Sequence, residues 1–179
     1  IHRSNVMWYN SDLFNKYDLD VPTTMDEFFK VAEVFKKNGE VALALGDTNT
    51  WPATHLLASV ILASTGPDKY KALWQGEVSW NDPDIIEALK NYAKMMNYVN
   101  SDHAALTNMD AAGYVAEGRA AMNVMGDWVA GYYMSQGYEQ GADWDWAPTP
   151  GTGGNFIMLS DSFGLTRNAP NRENVIKWL

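Results

Sequence analysis

The sequence predicts an α/β domain: helix-rich, with the helices packed around a small mixed sheet. Three observations carry that prediction. Several segments repeat apolar residues at helical spacing behind recognisable N-caps, short β-rich runs separate them, and Pro, Gly and Asp punctuate the junctions.

Asn5 to Tyr9 alternates and carries β-formers, which reads as the first strand. Ser11 stands where it would cap a short helix through Tyr17. Thr24-Met-Asp-Glu27 is a capping box, in which hydroxyl and carboxylate satisfy each other's backbone N–H. Phe28, Val31, Ala32 and Phe35 follow on one helical face, and Gly39 supplies a left-handed stop. Val41 to Leu45 reads as a short buried strand.

Thr50-Trp51-Pro52 opens an apolar helix to about Ser64, with Pro52 where its missing N–H costs nothing. Pro67 opens another that ends near Gln75-Gly76. Asp82-Pro83 starts a helix to about Tyr98, with Ile85, Ile86, Leu89, Ala93 and Met96 turned inward. A helix from about Asp110 to Glu117 ends at Gly118, and Ala120 to Met125 forms a strand. Gly126-Asp127-Trp128 then turns into a helix to about Gln136. Pro148 to Gly154 is irregular, Phe156 to Leu165 alternates as one or two strands, and Asn171 to Leu179 opens a last helix. That open helix, and an Ile at position 1, lead us to expect one domain over 1–179 that is a piece of a longer chain.

Composition narrows the function classes. Among 179 residues, 13 Lys+Arg oppose 22 Asp+Glu for a net charge of −9, and no cationic run exceeds Lys36-Lys37. A grip on nucleic acid or an anionic membrane needs clustered cations, so both are poor partners. Leu56 to Ala63, the longest uncharged apolar stretch, is too short to span a bilayer. With no cysteine there is no disulfide, thiolate nucleophile or Cys-based zinc site, and His2, His55 and His103 show no metal-binding spacing. No metal or cofactor is expected. The excess lies in the aromatics: eight Trp, nine Tyr and six Phe. Large flat side chains beyond core needs fit a surface that meets apolar faces such as those of sugar rings; a Trp-rich core is the plainer alternative.

Candidate chemical motifs are few. Gly151-Thr-Gly153-Gly154 leads into a strand-like run, whereas a phosphate cradle leads into a helix, so it reads as a loop. Asp143 and Asp145 alternate with Trp144 and Trp146, which on an extended segment puts both carboxylates on one side and both indoles on the other. Such carboxylates are too close together for a glycosidase pair, and the segment reads as an edge strand burying its Trp face. His55 on an apolar helix reads as a core or rim histidine. Ser160-Asp161-Ser162 lacks a nucleophile-elbow context, but a carboxylate at a strand end could accept sugar hydroxyls. Trp128 and Asp127 stand at a strand-to-helix turn, where α/β proteins place ligands; the plainer alternative makes Trp128 a core residue of the following helix. No catalytic residue is identified.

The longer matching strings are His2-Arg-Ser-Asn-Val-Met-Trp-Tyr-Asn10, Leu13-Phe-Asn-Lys-Tyr17, Pro22-Thr-Thr-Met-Asp-Glu-Phe28, Gly118-Arg-Ala-Ala-Met-Asn-Val-Met-Gly-Asp-Trp128, Trp146-Ala-Pro-Thr-Pro-Gly-Thr-Gly153 and Leu159-Ser-Asp-Ser-Phe-Gly-Leu165. In this order they resemble the extracytoplasmic carbohydrate-binding proteins of bacterial ABC importers, of the glucose/mannose type. The resemblance implies a periplasmic-binding-protein-like lobe, the second of two that close on a sugar, with the first lobe and a C-terminal segment outside this chain. It implies that Asp161 hydrogen-bonds sugar hydroxyls, that Trp128 stacks on a ring with Asp127 beside it, and that Trp51 lies in a cleft-facing loop. Asn108 occupies a position where glucose-type relatives carry a stacking Trp. The implied partners are a neutral sugar and the permease subunits of an ABC transporter, in the periplasm or tethered outside a membrane. The implied activity is binding without chemistry. The alternatives are a carbohydrate-active enzyme using Asp127, Asp143, Asp145 or Asp161, and a binding lobe for a peptide or polyamine. The isolated lobe is expected to bind sugar weakly, since one wall offers few contacts against the association entropy.

Overall fold

The structure is a computed structural model that describes residues 1–178. Leu179, the last residue of the predicted final helix, lies outside the described residues. In chain order the elements are β1 (His2–Arg3), β2 (Val6–Tyr9), α1 (Ser11–Lys16), α2 (Met25–Lys37), β3 (Val41–Ala44), α3 (Trp51–Trp74) and α4 (Pro83–Met95). After two short 3-10 turns come α5 (Asn108–Ala116), β4 (Ala120–Met125), α6 (Trp128–Gln136), β5 (Asp145–Pro148), β6 (Met158–Leu159) and α7 (Arg172–Trp178).

The main sheet runs in the order β3-β4-β2-β5. β3 lies parallel to β4, while β2 is antiparallel to both its neighbours, so the sheet is mixed as expected. Every residue of β4 is buried, because helices cover both faces there. Alternation along β2 divides the core. Met7 joins Phe14, Phe28, Phe35, Leu43 and Met122 under α1 and α2, whereas Val6 and Trp8 join Ala112, Val129, Tyr133 and Trp144 under α5 and α6.

Most helix starts follow the local chemistry of the sequence. The α2 capping box forms in full between Thr24 and Glu27, and Gly39 adopts φ 79° after it. α5 carries a second capping box, between Thr107 and Asp110. The proline-defined break is visible inside α3, where Gly66 leaves the helical region (φ 75°, ψ 170°) just before Pro67.

Three expectations are corrected. Asn10, and not Ser11, caps α1: its carboxamide oxygen accepts from Leu13 N at 2.9 Å, while its amide donates to the Val115 and Asp143 carbonyls. One side chain thus ties α1 to two distant segments. In α4 the buried face is Ile85, Ala88 and Met95; Ile86, Leu89 and Ala93 are exposed and Met96 is half-buried. Ile85 and Ala88 pack against Ile61 and Leu73 of α3 and Met95 joins the main core, so the apolar stripe of the helix is wider than the surface that covers it. Last, the strand content of 156–165 is only β6, paired antiparallel with β1 through His2↔Leu159 and Arg3↔Met158. Beyond it, α7 buries none of its residues. Phe163 and Trp178, 74% and 71% exposed, pack edge-on against each other with ring centres 5.3 Å apart. Among the described residues no helix is long and apolar enough to cross a membrane.

Candidate functional site

β4 ends at Met125, and the chain turns through Gly126-Asp127 into α6. Gly126 is required there because the Trp128 indole folds back over it; a Cβ at 126 would overlap the ring. So seated, the half-buried indole meets His2 edge-on at 5.6 Å and His55 at 5.9 Å, and lies tilted to Trp51 at 6.2 Å. Trp51 is the first residue of α3, and its ring meets His55, one helical turn on, at 5.0 Å.

The loop that delivers Trp51 is tightly constrained. Thr50 sits at φ 64°, a left-handed conformation that costs a β-branched residue about 1–3 kcal/mol. Its N–H donates to the Asp47 carbonyl at 2.7 Å, and the Asp47 carboxylate pairs with His103 Nδ1 at 2.9 Å. Gly46 admits no side chain, because the Thr107 carbonyl occupies the space a Cβ would need. The start of α3 is thereby fixed to the start of α5.

Asp127 stands at the N-cap position of α6 but does not cap it. Its carboxylate reaches instead across to β1: Oδ1 lies 2.9 Å from His2 Nδ1, and Oδ2 accepts from Arg3 N at 3.1 Å. The Asp127 N–H completes the junction by donating to the Arg3 carbonyl at 2.9 Å. The other ring nitrogen of His2, Nε2, lies 3.6 Å from Asp161 Oδ2. Both nitrogens of His2 therefore face carboxylates. The Asp161 side chain is 70% exposed, which leaves its oxygens open to further donors. His55 Nδ1 lies 3.1 Å from the Ser4 carbonyl. A carbonyl only accepts, so Nδ1 is the donor of this bond.

Of the five residues singled out in the sequence, Asp127, Trp128 and Asp161 thus gather around His2, and Trp51 adjoins them through Trp128. The fifth, Asn108, is the first residue of α5 and half-buried. It shares no hydrogen bond or ring contact with the other four among the described residues. It does lie one helical turn before Ala112, which packs in the cluster that Trp51 and Trp128 flank. His2 is the residue that sequence reasoning missed. The three histidines look unrelated along the chain; the β1–β6 pairing brings His2 to Asp161, and the β2–β4 pairing with the Asp127–Arg3 backbone bond brings it to Asp127. His55 is the rim histidine expected.

Asp143 and Asp145 serve local structure. Asp143 Oδ2 accepts from Glu139 N at 2.8 Å, and Asp145 Oδ1 accepts from Gln140 Nε2 at 3.0 Å and from Trp146 N at 2.9 Å. The segment is an edge strand as expected, but it does not bury both indoles. Trp144 is buried beside Trp8 and Tyr133, whereas Trp146 is 45% exposed. Trp146 walls a cavity of about 280 Å³ that Arg3, Trp8, Asp127, Gln140 and Trp144 also line. The Gly151–Gly154 segment is a turn with three left-handed glycines, as its composition implied. Among the described residues no group of three or more His, Asp or Glu converges as a metal site.

The whole chain, residues 1–179, matches the model of a family described as bacterial extracellular solute-binding protein. It is 40% identical over 181 residues to an ABC transporter extracellular-binding protein of Pyrococcus horikoshii, covering 100% of this chain and 41% of that one. It is 28% identical over 185 residues to a xylose/arabinose-binding protein of Haloferax volcanii, covering 99% of this chain and 39% of that one. Its fold matches the solved bacterial solute receptor AcbH, described as having an exclusive preference for β-D-galactopyranose, with a TM-score of 0.74 at 26% identity. That match covers 83% of this chain and 38% of the receptor. The chain therefore spans about two-fifths of the length of the relatives it matches. With this helix-rich lobe and this end-to-end match, the chain belongs to the bacterial extracellular solute-binding protein family.

Proposed function

We propose that this chain is the second lobe of a two-lobe receptor, and that its Trp128–Asp161 face forms one jaw around a neutral sugar. The observation that carries the reading is the half-buried Trp128 indole beside the exposed Asp161 carboxylate, joined through His2. A pyranose has apolar C–H faces and a girdle of hydroxyls; indoles meet the first and carboxylate oxygens accept from the second. Trp51 extends the aromatic surface. Asp127 has both oxygens engaged by donors, and it anchors His2. Asn108 sits at the margin of the jaw, where a carboxamide would meet a hydroxyl.

On this reading the β1–β6 pair is where the chain crosses between lobes. His2 lies on one crossing strand and Asp161 follows the other, so ligand contact and hinge closure share residues. The receptor acts outside the cytoplasmic membrane, periplasmic or tethered, and its closed form delivers sugar to the permease subunits of an ABC importer. No bond is made or broken and no cofactor takes part. The names of the relatives support both the ligand class and the partner.

Calorimetry of the encoded full-length protein against monosaccharides, disaccharides, peptides and polyamines tests the proposal. Sugar binding alone is the expected result, with aryl glycosides left intact; binding only of peptide or polyamine refutes it. In that protein Asp161→Ala should weaken sugar binding by about 1.5–3 kcal/mol, the loss of hydrogen bonds to a charged group. Unchanged affinity would remove Asp161 from the jaw.

A further inference from the structure

We propose that the jaw holds at least two linked rings, the second against the Trp146 indole, so that the preferred ligand is a di- or oligosaccharide and not a free monosaccharide. The inference rests on the sugar-binding reading and adds a ring position to it.

Asp127 divides the two positions. On one side the chain continues into Trp128, whose indole turns back over Gly126 toward Trp51 and His55. On the other side lies the 280 Å³ cavity, lined by the same Asp127 together with Ala130 of α6 and Trp146 of β5. Ligand pockets begin at about 300 Å³, so this space suits one small unit and not a whole oligomer.

Trp146 is 45% exposed among the described residues. In register it faces Trp8 of β2, and it lies two residues from Trp144 on the same face of the strand. Trp8 and Trp144 are both buried against Tyr133, so the three indoles form one row of which, among the described residues, only Trp146 lacks a covering helix. β5 is an edge strand, with β2 on one side only. The row therefore ends in a flat apolar plate at the mouth of the cavity.

Polar groups suited to hydroxyls surround that plate. The Arg3 guanidinium lies over the Phe156 ring at 4.6 Å, and among the described residues it has no carboxylate within ion-pair distance. The Gln140 carboxamide is oriented by the hydrogen bond its Nε2 donates to Asp145 Oδ1, which leaves its oxygen to accept. Asp127 closes the far wall. An indole with donors and acceptors at its rim repeats the chemistry of Trp128 with Asp161. Arg3 and His2 are adjacent on β1, so neighbouring residues of one strand serve neighbouring rings.

The test is calorimetry on the full-length protein with glucose, galactose and xylose against maltose, cellobiose, lactose and xylobiose. At least one disaccharide should bind ten-fold or more tightly than either of its constituent sugars. Trp146→Ala should erase that advantage while leaving monosaccharide affinity unchanged. Trp146→Leu, which keeps apolar bulk on the edge strand but removes the plate, should do the same with an unaltered unfolding midpoint. Equal or tighter binding of the monosaccharides overturns the second ring position and leaves the sugar reading standing. So does a disaccharide advantage that survives both substitutions. Binding of no sugar at all overturns both.

Discussion

The two ends of α3 each present a tryptophan near the surface, and they make different things of it. At the N-terminal end Trp51 joins Trp128, His55 and His2 beside two carboxylates. At the C-terminal end Trp74 packs edge-on against Trp80 at 5.6 Å and Tyr70 at 5.9 Å, with Trp74 53% and Trp80 46% exposed. Carboxylates stand close by here too, but a lysine consumes them: Lys69 pairs with Asp82 at 3.1 Å and with Asp84. The Lys69 partnership holds Asp82 below the usual carboxylate range, and Asp82 also caps α4 through Asp84 N. Near Trp128 the partner is a single imidazole, and one carboxylate remains largely in solvent. Exposed aromatic surface alone therefore does not mark a sugar site. The added requirement is an acceptor held beside the ring by a group that does not exhaust it.

This contrast can be broken directly. Trp128→Ala removes the plate of the N-terminal end and should cost about 2 kcal/mol or more of sugar affinity, as the loss of a central aromatic anchor does. Trp74→Ala at the other end should leave affinity unchanged. Equal losses in calorimetry would erase the distinction between the two ends.

Gly126→Ala sharpens the point, since it keeps every functional group and only unseats the indole. It should weaken sugar binding less than Trp128→Ala and shift the tryptophan emission of the protein. Unchanged affinity with a displaced ring would show that the seat of the indole is unimportant. His2→Gln, which keeps its donors on a single nitrogen and so cannot face both acids, should weaken binding by about 1 kcal/mol, the worth of a typical hydrogen bond. An affinity equal to that of the unsubstituted protein would make His2 a bystander.

The smallest effect concerns the cap of α5, beside the N-terminal end. Thr107→Ala should destabilise the fold by about 1 kcal/mol in thermal unfolding without changing affinity. Hydrogen bonds from Thr107 hold Asp110 below the usual carboxylate range. Its contribution is therefore complete above that range and is lost as pH falls through the depressed value. Thr107→Ala should flatten this acid limb of the stability profile. A parallel limb would assign it to other acids.

How much of this could be read in advance depends on the distance over which each feature is decided. The α2 capping box, the break before Pro67 and the Gly126-Asp127-Trp128 turn all follow from residues within a turn of one another. Asn10 was missed as a cap because its carboxamide also serves Val115 and Asp143, which are remote in the chain. The inward face of α4 was drawn too wide because periodicity shows which stripe is apolar, not how much of it a neighbour covers. Trp144 and Trp146 share a face, as alternation requires, but whether α6 reaches over each indole depends on where that helix lies.

The sequence by itself therefore determined the α/β class, most element starts, and the residue types from which a jaw could be made. Only the tertiary structure decided that His2, 125 residues before Asp127, holds that acid and faces Asp161 as well. It also decided that Trp146 would end its aromatic row uncovered. The reason is physical. Caps and turns are short-range bonds along one stretch of backbone, whereas the site depends on a two-residue strand pairing, β1 with β6, too short to leave any period in the sequence.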